Sequence, residues 1–209
     1  MVSARWTVTN VIAALTALAW LIAVLMGQSD YAAYSMGFIP ARLSGAEAPW
    51  PAVPAALTPL TATLVHGGPL HLVLNMVILL WCGTLVERAL GKASMIALYV
   101  VGAFASAAAQ WLSDPNGIIP MVGASGAISA VIGAYSLSFG RAKQVTSSAR
   151  LNRWINIAWL MAAWVVIQAM VGWIAGGQGY LLATPAHIGG FLAGLLLQRP
   201  LLLWQYRKA

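Results

Sequence analysis

The chain has 209 residues, of which 61% are hydrophobic and only 7% are charged, and its mean hydropathy is +0.82. Because a soluble domain carries roughly a quarter charged residues, this composition excludes a soluble globular protein and predicts a multi-pass membrane protein. No basic stripe or aromatic RNA-type motif accompanies the net charge of +7, and the single cysteine, Cys82, excludes a disulfide framework. We therefore expect no nucleic-acid partner.

Six apolar segments follow one another along the chain, and each is a candidate membrane helix. They run near residues 8–26, 70–87, 94–112, 124–139, 154–175 and 185–204. The first follows Arg5 and lacks a small-residue cleavage site, which predicts a retained signal-anchor helix. The pattern predicts an all-α fold with six transmembrane helices in a single domain, residues 1–209.

The basic residues predict the orientation of these helices. If the N-terminus is cytoplasmic, every cationic residue except Arg42 falls on the cytoplasmic side. The positive-inside rule then predicts that both termini are cytoplasmic. The short loops favour a bacterial cytoplasmic membrane.

A long segment, residues 27–69, connects the first two apolar segments. Its prolines forbid one long helix, and its aromatic side chains suit the membrane interface. These residues include Pro40, Pro49, Pro51, Pro54, Pro59, Tyr31, Tyr34, Phe38 and Trp50. The composition predicts an ordered external loop that lies in the interface.

The fourth apolar segment is too short to cross the hydrocarbon core. The run from Ser125 to Phe139 has 15 residues, whereas about 20 are needed. Its helix must start below the membrane surface, which requires a protein-lined polar cavity above it. We expect Ser125 at that sunken end.

Ser125 stands in the string Gly123-Ala124-Ser125-Gly126. One interpretation is close helix packing, because small residues let membrane helices approach and a serine can bond its own backbone. The other is a nucleophile whose oxygen is left uncovered by its small neighbours. The rest of the chain decides between them, since a nucleophile needs a base and oxyanion donors.

The second, fourth and sixth predicted helices run in the same direction and carry polar residues near the same end. These residues are His71 and Asn75, Ser125, and His187. Strongly polar groups within membrane spans are functional candidates by default. The topology therefore predicts one shared site that opens to the outside.

His187 is followed by Gly190 and Gly194, whose spacing permits very close helix contact. Glycines of the fourth segment, among them Gly126, can provide the opposing face. This packing predicts that the Ser125 hydroxyl lies within hydrogen-bonding reach of the imidazole. Considered alone, His187 is more simply a histidine bonded to a backbone carbonyl.

An orienting carboxylate, usual in serine hydrolases, is hard to find. The only acidic residues are Asp30, Glu47, Glu87 and Asp114. Glu87 is expected at the cytoplasmic end, where it terminates the helix, and the others lie in external loops. The count therefore predicts a Ser125–His187 dyad.

The second segment supplies candidate oxyanion donors. His71 and Asn75 are four residues apart and share a helix face, and their side chains can donate hydrogen bonds to a developing oxyanion. His66 is about 140° from His71 on an ideal helix and should not share that face. We interpret it as a structural residue. The histidines lack a His-Glu-x-x-His pattern, so no metal is expected.

Three motifs thus occur in order along the chain. They are His66-x4-His71-x3-Asn75, Gly123-Ala124-Ser125-Gly126, and Ala186-His187-x2-Gly190-x3-Gly194. In order and spacing they resemble the rhomboid family of intramembrane serine proteases. The resemblance covers residues 57–198, and the ordered set is far more specific than any single motif.

This resemblance implies a rhomboid-like bundle that cleaves single-span membrane proteins within or beside their transmembrane segments, without metal or nucleotide. It implies that Ser125 is the nucleophile and His187 the general base. His71 and Asn75 then take the oxyanion positions, and His66 a structural one. Structural positions near the site are Gly123, Gly126, Gly190 and Gly194.

The sequence departs from the family pattern at two places. Leu57-Thr58 stands where many members have a Trp-Arg pair, and Ser129 stands where the family often has an aromatic residue that packs on the histidine. Neither change removes a catalytic group.

The expected partners are the lipid bilayer and transmembrane substrates that enter sideways from it. The fifth segment carries Trp154, Trp159, Trp164 and Trp173, which we interpret as lipid-facing side chains with interfacial anchors. This helix, residues 154–175, and the glycine-rich loop 176–184 are predicted to form the substrate gate.

Two other functions stay open. One is a non-catalytic rhomboid-like protein that binds transmembrane helices as a chaperone. The other is a small-solute channel or haem-binding protein that uses the histidines. Solute flux or a haem absorption band would mark the latter, and neither should depend on Ser125.

Overall fold

The computed structural model describes residues 6–141, 144–177 and 182–207, whose regular structure is helical. Five helices in these ranges are long and apolar enough to cross a membrane, and the helix Ser125–Phe139 is apolar but shorter. The helices are α1 (Val8–Leu25), α2 (Ser29–Met36), α3 (Pro40–Leu43), α4 (Thr58–Thr61), α5 (Pro69–Ile78), α6 (Thr84–Leu90), α7 (Lys92–Ser113), α8 (Ser125–Phe139), α9 (Ala149–Gly177) and α10 (Thr184–Gln205). The predicted all-α membrane fold is confirmed.

The segment between the first two spans folds as short helices, because its prolines interrupt any longer one. α2, α3 and α4 lie here, with 3-10 turns at Ala55–Leu57 and Ala62–Leu64. Phe38 and Met121 exchange backbone hydrogen bonds of 3.0 and 2.8 Å, and the Gly123 N–H donates to Ala62 O at 2.9 Å. These bonds fasten the segment to the loop that leads into α8.

The second span is continuous from Pro69 to Leu90 and contains a π-helical turn, Leu79–Gly83, between α5 and α6. Single π turns inside helices shift the faces on either side of them. The span ends at Gly91, whose φ of 85° lies in the left-handed region that favours glycine. α7 begins at the next residue.

α7, α8 and α10 form the tightly packed centre of the bundle. Small residues allow this approach: a Cβ placed on Gly102 would lie 2.6 Å from Ala130 Cβ, and one on Gly133 would lie 2.5 Å from Phe191 O. The backbone of α10 likewise meets that of α8 where Gly194 faces Ala130. α8 is consequently buried along most of its length.

α9 packs at the periphery, and it and α1 bury the smallest share of their residues among the long helices. Its inner face contacts Phe191 and Leu195 of α10 through Ile157, Leu160 and Trp164. The exposed apolar side chains of these helices form the surface that lipid would cover.

Some predictions concern positions outside the described residues. These are the cationic residues Arg5, Lys143 and Lys208 and the part of the predicted gate loop at residues 178–181.

Candidate active site

Ser125 is the first residue of α8, and the turn before it requires glycine. Gly123 has a φ of 113°, which side-chain-bearing residues rarely adopt. A Cβ at this position would also lie 2.6 Å from Cε1 of the His71 ring. The turn therefore holds Ser125 at the amino end of α8 and sets it beside α5.

The Ser125 hydroxyl lies 2.7 Å from His187 Nε2. Close contact between α8 and α10 makes this distance possible, because Gly190 faces the Gly126 carbonyl and also Ser106 of α7. His187, one turn before Gly190, is thereby set opposite Ser125. The structure brings the two residues of the predicted dyad together.

The other ring nitrogen of His187 contacts α9. His187 Nδ1 lies 2.8 Å from Oε1 of Gln168, and both side chains are buried. An amide oxygen only accepts hydrogen bonds, so Nδ1 carries the ring proton. Nε2 of the neutral ring is then the acceptor that faces the Ser125 hydroxyl.

α9 also holds the backbone of His187. Trp164 Nε1 donates to the His187 carbonyl at 3.2 Å, and the Trp164 ring stacks on Phe191 with centroids 4.7 Å apart. The interpretation of Trp164 as a lipid-facing side chain is wrong, because α9 turns this residue towards α10. Trp154, Trp159 and Trp173 are exposed on the bundle surface.

His71 and Asn75 lie one turn apart on α5. Asn75 Nδ2 donates to the His71 carbonyl at 3.0 Å, and the amide is buried. Since the amide nitrogen has two N–H groups, Asn75 keeps one for another acceptor. The His71 ring adjoins Gly123 and interacts electrostatically with His187.

His66 lies in the turn before α5 and is only 4% exposed. Its ring centroid is 4.9 Å from that of His71. The prediction that His66 and His71 point to different faces of one helix is wrong. His66 is not on the helix, because α5 begins only at Pro69. Burial, together with the nearby His71, lowers the pKa of His66 to about 4. The ring is therefore neutral at neutral pH.

No acidic side chain makes a hydrogen bond to His187 within the described ranges. Glu87 instead lies at the far end of the second span, against α1. Histidine, cysteine and acidic residues do not cluster in a way that could hold a metal ion anywhere in the described part of the chain. The candidate site therefore consists of the His187 imidazole and two uncharged hydrogen-bond partners, Ser125 and Gln168.

A family model, the Rhomboid domain, matches residues 55–204. The chain belongs to the rhomboid family. The match covers the residues that contribute to the candidate site.

Two curated rhomboid relatives from Arabidopsis thaliana are similar to this chain. RHOMBOID-like protein 5 is 31% identical over 139 residues, which are 66% of this chain and 42% of the relative. RHOMBOID-like protein 4 is 31% identical over 144 residues, or 69% of this chain and 34% of the relative. The chain spans less than half the length of these relatives.

The two departures from the rhomboid pattern have local partners in the structure. The Ser129 hydroxyl donates to the Ser125 carbonyl at 2.8 Å, one turn back on its own helix. The Thr58 hydroxyl donates to the Ala55 carbonyl at 2.6 Å. Neither side chain takes over the support of His187.

Sequence reasoning missed Gln168, the residue that does contact the imidazole. The sequence does contain one feature that indicates this residue. Gln168 is an amide in the otherwise apolar stretch 157–173, and polar residues within membrane spans are functional candidates. In this rhomboid, Gln168 is a polar side chain of α9 that belongs to the candidate site.

Proposed function

We propose that this rhomboid-family protein is an intramembrane serine endopeptidase. It hydrolyses peptide bonds in or next to transmembrane segments of membrane proteins. The observation that carries the proposal is the 2.7 Å contact between Ser125 Oγ and His187 Nε2 inside a bundle of membrane-spanning helices. A serine bonded to an imidazole acceptor is the arrangement of an activated nucleophile.

In the proposed reaction His187 is the general base and then the general acid. Nε2 takes the Ser125 proton as Oγ bonds to the carbonyl carbon of the scissile peptide. The same proton then passes to the leaving amine as the C–N bond breaks. Water then attacks the acyl carbon as His187 Nε2 takes its proton, and that proton passes to Ser125 Oγ as the acyl C–O bond breaks.

Three donors are proposed to stabilise the oxyanion. They are the His71 ring, the Asn75 amide and the backbone N–H of Ser125. The Ser125 N–H belongs to the first turn of α8. The N–H groups of this turn have no partner within the helix, and they form the positive end of the helix dipole. The contact of His71 with Gly123 supports this assignment, because it sets α5 beside the nucleophile's turn.

The proposed partners are transmembrane proteins that reach the site sideways from the lipid. Their helices must unwind locally, because a helical backbone hides its carbonyl groups in hydrogen bonds. α9 is the proposed gate: it lies at the periphery yet contacts His187 directly. No metal or nucleotide is required by this chemistry.

The proposed location is a cell membrane, of the bacterial cytoplasmic type, with both termini in the cytoplasm. The distribution of basic residues supports this orientation. The Ser125 end of α8 then opens to the outer side, where water can reach the sunken serine.

Labelling with a fluorophosphonate serine probe tests the function. The detergent-purified protein should be labelled at Ser125, and both Ser125→Ala and His187→Ala should lower labelling by at least about 10³-fold. Ser136→Ala is the matched control, because Ser136 lies on the same helix but its hydroxyl donates to the Ile132 carbonyl, at 2.8 Å, and not to an imidazole. This variant should be labelled like the wild type.

Two results would count against an endopeptidase. Folded wild-type protein that takes up no label would favour a non-catalytic binder of transmembrane helices. Label that survives Ser125→Ala would assign the reactive group to another residue.

A further inference from the structure

We propose that Gln168 is a positioning residue for the catalytic base His187. Through this residue, the ability of His187 to accept the Ser125 proton depends on the position of α9. The inference rests on the proposed function. It adds a third member, on a different helix, to the Ser125–His187 pair.

The first ground is the burial of the Gln168 amide. α9 is mostly exposed, but Gln168 is only 7% exposed. Burial of an amide is costly unless it is hydrogen-bonded, and its oxygen lies 2.8 Å from His187 Nδ1. A side chain selected only for packing in this apolar stretch would be leucine or methionine.

The second ground is the tautomer that the contact selects. A neutral imidazole carries one proton, and the nitrogen that holds it is set by the partner of that nitrogen. Gln168 Oε1 holds the proton on Nδ1, which leaves Nε2 free to accept from Ser125. Without this acceptor, the ring can place its proton on Nε2, and that form cannot act as the base.

The third ground is the electrostatic setting of His187. Within the described ranges, His71 on α5 is the titratable side chain that interacts with it. The hydrogen-bond partners of the ring, Ser125 on α8 and Gln168 on α9, are uncharged. A neutral acceptor therefore occupies the place that a carboxylate holds in many serine hydrolases.

The location on α9 links this role to substrate entry. Trp164, one turn before Gln168, donates to the His187 carbonyl from the same helix. If α9 moves outward, His187 loses its Nδ1 acceptor and this backbone bond together. Acylation therefore requires α9 to be docked on α10, after the substrate has entered.

The test compares Gln168→Leu, which removes the acceptor at similar volume, with Gln168→Glu, which restores an acceptor and adds charge. The readouts are the second-order rate of fluorophosphonate labelling and kcat and KM for a transmembrane substrate, across about pH 5 to 9. Gln198→Leu is the matched control, because Gln198 is also buried but lies on α10, bonded to Ser138. It should label at the wild-type rate.

We expect Gln168→Leu to lower the labelling rate and kcat by about 10–100-fold with little change in KM. Gln168→Glu should recover most of that loss, and the acid limb of its pH–rate profile should move to higher pH, because a carboxylate favours the imidazolium. A residue that only packs would not produce this shift.

Three results separate the possible failures. Absence of labelling in the wild type would refute the proposed function and this inference with it. Normal labelling of both wild type and Gln168→Leu would refute only the positioning role. If Gln168→Leu does not fold, the profile of Gln168→Glu decides, and an unmoved acid limb would overturn the proposal.

Discussion

Glu87 accepts hydrogen bonds from both the backbone N–H and the hydroxyl of Thr9, at 2.8 and 2.7 Å from Oε2. Its other oxygen accepts from the Val8 N–H at 2.8 Å. The carboxylate thus caps the first turn of α1, where unpaired N–H groups and the helix dipole favour negative charge. This buried cap joins α1 to the second span at the end of the bundle away from Ser125.

Glu87→Ala should destabilise the protein by about 2–3 kcal/mol, because it removes three bonds to a charged acceptor and leaves buried donors unpaired. Thermal unfolding in detergent measures the loss. Glu47→Ala, which removes an exposed carboxylate, should leave the unfolding temperature unchanged. Equal stability of the two variants would show that the cap is dispensable.

Gly190→Ala should separate α8 from α10. Its Cβ would lie 2.6 Å from Ser106 Oγ and also meet the Gly126 carbonyl, and overpacking of this kind costs about 1–3 kcal/mol. We expect lower thermal stability and a loss of fluorophosphonate labelling, since the shift acts on the helix that carries His187. Gly67→Ala is the control, because its Cβ would have no neighbour within 4 Å. Wild-type labelling of Gly190→Ala would contradict the role of this contact.

The arrangement of α8 and α10 could be anticipated from residue spacing alone. A 15-residue apolar run beginning at Ser125 indicates a helix that starts inside the membrane. Glycines four residues apart after His187 indicate the face of α10 that another helix can approach closely. Both features are read within a single segment of the sequence, so they can be recognised without knowledge of how the helices pack against one another.

The contacts of Gln168 and Glu87 could not be anticipated in this way. Glu87 meets Thr9, 78 residues earlier in the chain, and Gln168 meets His187 only through the rotation of α9 against α10. The sequence identifies each as a polar residue in an apolar helix. Its partner depends on tertiary packing, which side-chain periodicity does not specify.

The stability of the protein should depend on pH through His66. Its pKa is lowered to about 4 in the folded state from an ordinary value of 6.5, so below that ordinary value the unfolded chain binds a proton that the folded chain does not. Stability is therefore complete above about pH 6.5 and falls by about 1–3 kcal/mol as the pH decreases towards 4. Thermal unfolding of wild type and His66→Gln across this range measures the effect.

In His66→Gln this contribution should be absent, because glutamine does not titrate. His71 and His187 are present in both proteins, so the difference between the two pH profiles reports His66 together with its interaction with His71. Identical pH dependence of the two proteins would show that His66 can be protonated without cost in the folded state.

Asn75→Ala tests the proposed oxyanion site. If the amide donates to the developing oxyanion, its removal should lower kcat for a transmembrane substrate by about 10²–10³-fold with little change in KM. Asn10→Ala is the matched control, since Asn10 is exposed on α1. An effect confined to KM would instead assign Asn75 to substrate binding.

A disulfide between α9 and α10 tests the proposed gate. A Cβ on Gly172 would lie 3.0 Å from Thr184 Oγ1, a separation that suits a disulfide with Cβ atoms about 3.5–4.5 Å apart. Gly172→Cys and Thr184→Cys, made in a Cys82→Ala background, would fasten the two helices one turn beyond Gln168. The oxidised protein should cleave a transmembrane substrate at least about tenfold more slowly, because a helix-sized substrate needs α9 to move.

The small fluorophosphonate probe separates gating from damage to the site. It needs no movement of α9, and the tether keeps Gln168 against His187, so its labelling rate should be the same in the oxidised and reduced protein. Reduction should restore cleavage of the transmembrane substrate. If oxidised and reduced protein cleave that substrate equally fast, the substrate enters without separating α9 from α10 at this point, and the gate lies between other helices.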